Sequence, residues 1–467
     1  MKGNNKKQLI TYVEFKKKRF IVGIDGNTAT FMVGSKDHSD FEILDEISGQ
    51  RFLQGTTSDG KAVAFDISNP YKTKLLETVI SYKYKTSTIL FGKDHKKSID
   101  SFDAITFYGE AINSLHLPPI VNEIPSDERE NKVVFKIDDF EISFVYGWER
   151  KKPKQHGDLG YWVAFLKLEF QETQSIEQLL KHHDAMYYLC TFLVGKLNIK
   201  FDNVEISKKL PTTDPNKVMG SLLGKNSSEE IYVLDEAGKE KLLLQHFADC
   251  HVTSSYYDYA KTEFHKVIAF SHLGNHLAKL IPLFYQLDIS FKKNNLHLLK
   301  ILPTSNQEAC LLTYGQIKEL CTALEIEYDR LKPSMQLSGD ELSQIRKHLK
   351  ECFETYTNES EISEDLIKQV GDSLNHISLN ARNKIIHLVN RAKDKFGEEK
   401  ITISDDEVGS LVRSRNNLTH SGRLNEDGVR ISFEKLKVLL NLSMFLRIGI
   451  DDEETLVELC ATLLRRI

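Results

Sequence analysis

Apolar and polar residues alternate with a period of two across the first third of the chain, at residues 10–15, 19–24, 28–33 and 62–67. These runs are rich in β-branched and aromatic residues, as strands with one buried face require. Turn signals punctuate them at Asp25-Gly26-Asn27 and Asp59-Gly60. Further strands are predicted over 86–91, 104–108 and 161–170, the last closing the run, with a hairpin over 133–146 turning at Asp138-Asp139. Many short strands with frequent turns favour a sandwich or distorted barrel over a βαβ arrangement.

At Ser175 the period becomes helical. Ile176, Leu179, Leu180, His183, Met186, Tyr187 and Cys190 share one face, which predicts a core helix under the β domain. Residues 211–227 read as a polar loop and 240–287 as a second helical region. A boundary falls at 303–308. Beyond it, helices are predicted over 311–331, 338–356, 364–377, 381–396, 405–421, 433–448 and 453–466, with lengths and connections that suit an antiparallel bundle. The fold class is therefore α+β. It divides into a β-rich region at 1–172, a mixed, mainly helical region at 173–303 and a helical domain at 304–467.

A chain of 467 residues can hold two or three domains, and 40% hydrophobic with 28% charged residues describes an ordinary globular composition. The net charge of −5 argues against indiscriminate coating of nucleic acid, which needs many cations facing phosphates, but leaves room for a local basic site. The N-terminus lacks the apolar core of a secretion signal, and the longest apolar stretch, near 186–194, is too short to cross a bilayer. Six cysteines without C-x-x-C spacing are expected to be reduced thiols in a cytoplasm.

The sharpest chemistry lies at Arg415-Asn416-Asn417-Leu418-Thr419-His420, followed by Ser421 and Gly422. Ser404 and Glu407 have capping-box spacing and predict a helix start. Val408, Leu411, Val412 and Leu418 recur at helical spacing, and Gly422 suits a helix end. Asn416 and His420, four apart, are neighbours one turn along, and Arg415 follows the apolar phase. Three polar groups at one helix end can bind a phosphate, orient it and move a proton. Arg413, Arg423 and Arg430 add local positive charge, with Arg413 and Arg423 assigned to phosphate binding.

Arg-to-His spacing is permissive, and other copies exist. Arg150 and His156 match in a Lys/Pro/Gly loop. Arg382-Asn383-Lys384-Ile385-Ile386-His387 carries the same Asn, but His387 sits in mid-helix, whereas His420 sits in a last turn, where the helix dipole favours a protonated imidazole. The 415–420 copy is therefore preferred, and Arg382 and His387 are expected to matter little. His246, Cys250, His251, His265, His272 and His276 offer some one-turn spacings for a metal, with ordinary core and surface histidines as the default. Gly220-Ser221-Leu222-Leu223-Gly224-Lys225-Asn226 falls short of a phosphate loop. G-x-S-x-G, H-E-x-x-H and a dinucleotide fingerprint are absent.

Arg-Asn-x-x-x-His near the end of a C-terminal helical domain resembles the motif of HEPN ribonucleases. The chain as a whole resembles the ApeA-like abortive-infection effectors, the N-terminal likeness resting on Phe52-Leu53-Gln54-Gly55-Thr56-Thr57-Ser58-Asp59-Gly60-Lys61. The resemblance implies a metal-independent endoribonuclease that leaves a 2′,3′-cyclic phosphate and needs no cofactor. It also implies a homodimer through the HEPN-like bundle. In that reading His420 transfers a proton, Arg415 stabilises the phosphorane and Asn416 orients the phosphate or the imidazole. The substrate expected is unpaired RNA such as a tRNA loop, with a phage-derived activator sensed by the N-terminal domain. Two alternatives stand beside it, a catalytically silent interaction domain that acts as sensor or scaffold and a metal centre among the histidines of 246–276, and the motif itself can also be read as a solvated polar helix end with Arg415 paired to a nearby acid.

Overall fold

The computed structural model describes residues 9–25, 27–34, 43–44, 46–47, 49–50, 52–76, 79–86, 88–93, 99–119, 130–151, 161–195, 199–209, 244–252, 266–286, 297, 312–331, 339–359, 363, 365, 367–370, 380–421 and 428–466. The chain splits into two compact units, Met1–Tyr285 and Gln286–Ile467.

The first unit is built on strands β1 (Leu9–Phe15), β2 (Lys18–Asp25), β3 (Thr28–Gly34), β4 (Phe52–Thr57) and β5 (Ala62–Asp66). It continues with β6 (Ser68–Leu76), β7 (Val79–Lys85), β8 (Thr88–Gly92), β9 (Ser101–Tyr108) and β10 (Asn131–Ile137). The series ends with β11 (Phe140–Lys151), β12 (Tyr161–Ser175), β13 (Asn203–Lys209) and β14 (Leu244–Val252). Among the described residues they form one 14-stranded ladder in the order β10-β11-β12-β9-β13-β14-β8-β5-β4-β1-β2-β3-β7-β6. The pairings are antiparallel, as alternation and tight turns predict. The hairpin expected at Asp138-Asp139 forms with Ile137 opposite Phe140, and Asp138 takes the left-handed conformation (φ 53°) that Asp tolerates in turns. Alternate residues of β1, β2, β3 and β7 bury Val13, Val22, Phe31 and Tyr84 in one core with Leu44 and Ile47. Within that core the Tyr84 hydroxyl donates to the Leu44 carbonyl at 2.8 Å.

Helices among the described residues of this unit include α1 (Glu110–Leu115), α2 (Leu179–Val194), α3 (Phe270–Leu273) and α4 (Leu277–Tyr285). α2 is the expected core helix: His182 lies against the Phe102 and Phe170 rings of β9 and β12, and its Nδ1 is 3.0 Å from the Tyr285 hydroxyl.

Two sequence expectations need correction here. β12 runs on to Ser175 and does not close the strand series, because β13 and β14 follow α2 and insert between β9 and β8. The region predicted helical from 240 therefore opens with a strand. A register shift in the β13–β14 ladder leaves Phe247 bulged, so the adjacent Phe247 and Ala248 are both buried. That break in the period of two imitates a helical spacing.

The second unit comprises α5 (Tyr314–Arg330), α6 (Gly339–Glu359), α7 (Ala381–Phe396), α8 (Asp405–Ser421), α9 (Val429–Arg447) and α10 (Glu453–Leu464). α5, α7, α8 and α9 pack on one another and α10 packs on α9, burying Leu320, Leu324, Ile385, Leu388, Leu411 and Leu436. The helix expected at 364–377 is seen at 365 and 367–370, the rest of it lying outside the described residues. One buried carboxylate, Glu327 of α5, ties three elements together. It accepts from Arg447 Nε of α9 at 2.7 Å and from Arg447 Nη2 at 3.0 Å, and from His297 Nε2 at 2.9 Å. Among the described residues no helix is long and apolar enough to cross a membrane.

Candidate active site

α8 begins as its sequence requires. Ser404 N–H donates to Glu407 Oε2 at 2.9 Å, and Glu407 N–H donates to Ser404 Oγ at 3.2 Å, a reciprocal capping box. Asp405, Asp406 and Glu407 fill the first turn, where the helix dipole favours negative charge. Val408, Leu411 and Val412 are buried, which fixes the rotation of the helix and leaves Arg413 and Asn416 exposed with Arg415 half-buried.

The Arg415 guanidinium is held on two sides. Its Nη1 lies 2.6 Å from Glu325 Oε1 of α5, and its Nε donates to Asn416 Oδ1 at 3.2 Å. Both partners of the ion pair are about three-quarters shielded, with side-chain exposures of 25% and 29%. Glu325 is a partner that sequence reasoning did not name. Cys321 lies one turn earlier on α5. Burial pushes its thiol up to about 12, Glu325 pushing the same way and Arg415 opposing, so it stays protonated and inert as a nucleophile.

The structure thus brings Arg415 and Asn416 together and sets Arg413 on the exposed face. The backbone of His420 lies on α8 five residues beyond Arg415, and on a straight helix positions five apart lie roughly 140° apart about the axis. Arg423 and Gly422 lie outside the described residues, as do His156, His265, Cys310 and the stretch 220–226. Arg150 proves to sit in β11 opposite Trp162 rather than in a loop.

The rival copy lies on the neighbouring α7. Asn380 caps that helix by accepting from Asn383 N–H at 2.9 Å, Arg382 falls in the first turn, and His387 is exposed in mid-helix with its ring 5.9 Å from Tyr328. Gly409, in the second turn of α8, faces Arg382. A Cβ there would lie 3.4 Å from Arg382 Nε and 3.4 Å from Arg413 Nη1.

Among the described residues, the histidines of 246–276 do not share one regular α-helix. His246, Cys250 and His251 are on β14, whereas His272 is on α3 and His276 in the turn before α4. Instead His246 meets two acids, with Nδ1 3.5 Å from Glu205 Oε2 on the paired β13 and Nε2 3.0 Å from Asp249 Oδ1 three residues along its own strand. Ligand atoms of these three residues lie within 4.8 Å of one another, a donor set that suits a divalent cation. Lys93 sits 2.7 Å from Asp249 Oδ2, and Asn203 Nδ2 donates to Glu205 Oε1 at 2.9 Å, so a metal would have to displace existing partners. Burial raises the Asp249 carboxyl, but the hydrogen bonds from His246 and Lys93 outweigh it and bring it to about 2.

Residues 319–454 match the family model described as Apea-like HEPN. The match begins within α5, includes both Glu325 and Arg415, and ends at the start of α10. No curated protein and no solved structure matches the chain. The C-terminal unit carries an Apea-like HEPN domain.

Proposed function

We propose that the protein is a HEPN endoribonuclease acting as an effector of anti-phage abortive infection, and that it cuts unpaired RNA without a metal by attack of the ribose 2′-OH on the adjacent phosphate. The observation that carries this reading is the position of Arg415-Asn416-x-x-x-His420 at the end of α8, inside the span that matches Apea-like HEPN.

In this mechanism the chain works through charge and proton placement. Arg415, held by Glu325, stabilises the charge that builds on the phosphorane. Asn416 accepts from Arg415 through Oδ1, which leaves its amide N–H groups to bind a phosphate oxygen. His420 removes the 2′-OH proton or supplies one to the leaving 5′-oxygen. The angular separation of Arg415 and His420 along one helix favours a site shared by two copies, so we propose a two-fold homodimer through the HEPN domain with the two motif ends facing each other. The N-terminal unit is the proposed sensor of a phage-derived activator.

A silent interaction domain is the second reading. The Arg415–Glu325 ion pair favours it, since an arginine already paired with an acid is also what a structural helix contact looks like. Substitution separates the two. Under the nuclease reading His420→Ala and Arg415→Ala each remove RNA cleavage while the protein stays folded, and His387→Ala cleaves as the unsubstituted chain does. Loss of cleavage with His387→Ala but not with His420→Ala overturns the assignment, and a folded, activated protein that cuts no RNA supports the silent domain.

A further inference from the structure

We propose that Arg382 and Arg413 form a two-arginine clamp over Gly409 that grips one backbone phosphate of the RNA, a deepening that rests on the nuclease reading of the α8 end. Sequence reasoning set Arg382 aside as part of a decoy motif. The fold places it beside the preferred motif.

The two guanidiniums arrive from different helices, Arg382 from the first turn of α7 and Arg413 from the exposed face of α8. Each has a nitrogen 3.4 Å from the point that a Gly409 Cβ would occupy, so these nitrogens lie within roughly 7 Å of one another, close enough for their charges to repel. Among the described residues neither makes an ion pair. Two exposed cations held together without a carboxylate between them are stabilised by an anion, and a phosphate offers several oxygens to two forks at once. Gly409 fits the same account. A glycine in the second turn is worse than alanine for α8 itself, and the bare Cα leaves the floor between the two guanidiniums clear, where a Cβ would only come into van der Waals contact with both. Arg413 and Asn416 are three apart on α8, adjacent positions on the helix surface, so a phosphate in the clamp and one at the motif belong to the same strand of RNA.

The test is binding of a fluorescent, unpaired RNA made wholly of 2′-O-methyl nucleotides, which this chemistry cannot cut, to the full chain at several salt concentrations. Arg382→Gln and Arg413→Gln should each weaken binding about tenfold and make the salt dependence shallower by about one phosphate. Because both grip the same phosphate, the double substitution should lose little more than either single one. Lys395→Gln, which removes an exposed cation near the far end of α7, should bind as the unsubstituted chain does. Arg382→Glu should abolish the clamp without lowering the thermal midpoint, since the new carboxylate faces Arg413. Unchanged binding by Arg382→Gln, or a loss no larger than that of Lys395→Gln, overturns the clamp. An unsubstituted protein that binds through both arginines but never cuts cleavable RNA leaves the clamp standing and removes the nuclease reading, whereas one that binds no RNA removes both.

Discussion

Replacing Glu327 with glutamine keeps the shape of the side chain and removes its charge from the interior of the helical unit. The carboxylate is fully buried and accepts two hydrogen bonds from Arg447 and one from His297, with Arg330 Nη1 a further 3.9 Å away. Glutamine can accept through only one oxygen, so at least one donor loses its partner and Arg447 is left charged in a shielded site. Breaking one side of a buried pair costs about 3–5 kcal/mol. For a unit of this size that corresponds to a fall in thermal midpoint of about 10 °C. Burial raises the Glu327 carboxyl pKa, and the hydrogen bonds from His297 and Arg447 more than reverse it, so the folded value lies below the usual one. This stabilisation is therefore present above the ordinary glutamate pKa of roughly 4.3 and is lost as pH falls through the lower folded value. Chemical denaturation of the full chain should show the loss in the transition of the helical unit. A double-mutant cycle of Glu327→Leu with Arg447→Met should give a double variant more stable than the sum of the singles predicts. A cost under about 1 kcal/mol for Glu327→Gln, or strict additivity in the cycle, would refute the view that this cluster holds α5 to α9.

Three further outcomes follow from the same geometry. Glu325→Gln takes a negative charge away from the motif and frees the Arg415 guanidinium, so RNA should bind at least as tightly while cleavage slows about tenfold, and a parallel fall in both would show that Glu325 serves only the fold. His116 stacks on Trp148 with ring centroids 4.2 Å apart, and burial lowers its imidazole to about 4. The unfolded chain therefore binds more protons between that value and the ordinary one of roughly 6.5, and stability falls as pH is lowered through that window. Tryptophan emission should report a midpoint that drops from pH 6.5 to 4, and His116→Phe should flatten part of the slope, the remainder belonging to His182, which burial lowers to about 3. If the site is shared between two copies, cleavage rate should rise more steeply than in proportion to protein concentration below the dimer dissociation constant, and proportionality down to a demonstrable monomer would contradict the shared site.

What could be read from the chain was local. The start of α8 was legible because Ser404 and Glu407 lie three residues apart and the apolar spacing that follows is regular, and the hairpin at Asp138-Asp139 was legible for the same reason. β14 was misread because a bulge at Phe247 disturbs its alternation. β13 carries only a short alternation at Val204 and Ile206, and nothing local announces its insertion between β9 and β14, since that pairing depends on partners distant in sequence. The same limit applies to the site. Arg415 and Asn416 could be picked out as neighbours on one helix, whereas Glu325 is 90 residues away and Arg382 meets Arg413 only through the packing of α7 on α8.

The most direct measurement of the central claim is the chemistry of the cut. Activated protein is incubated in EDTA with an unpaired RNA and with the same RNA carrying a single 2′-O-methyl group at the scissile nucleotide, and the product ends are identified by mass. The account predicts a 2′,3′-cyclic phosphate and a 5′-hydroxyl from the first, no cut at the modified position in the second, and neither product with His420→Ala. Cleavage at the modified nucleotide, or products ending in 3′-hydroxyl and 5′-phosphate, would contradict it.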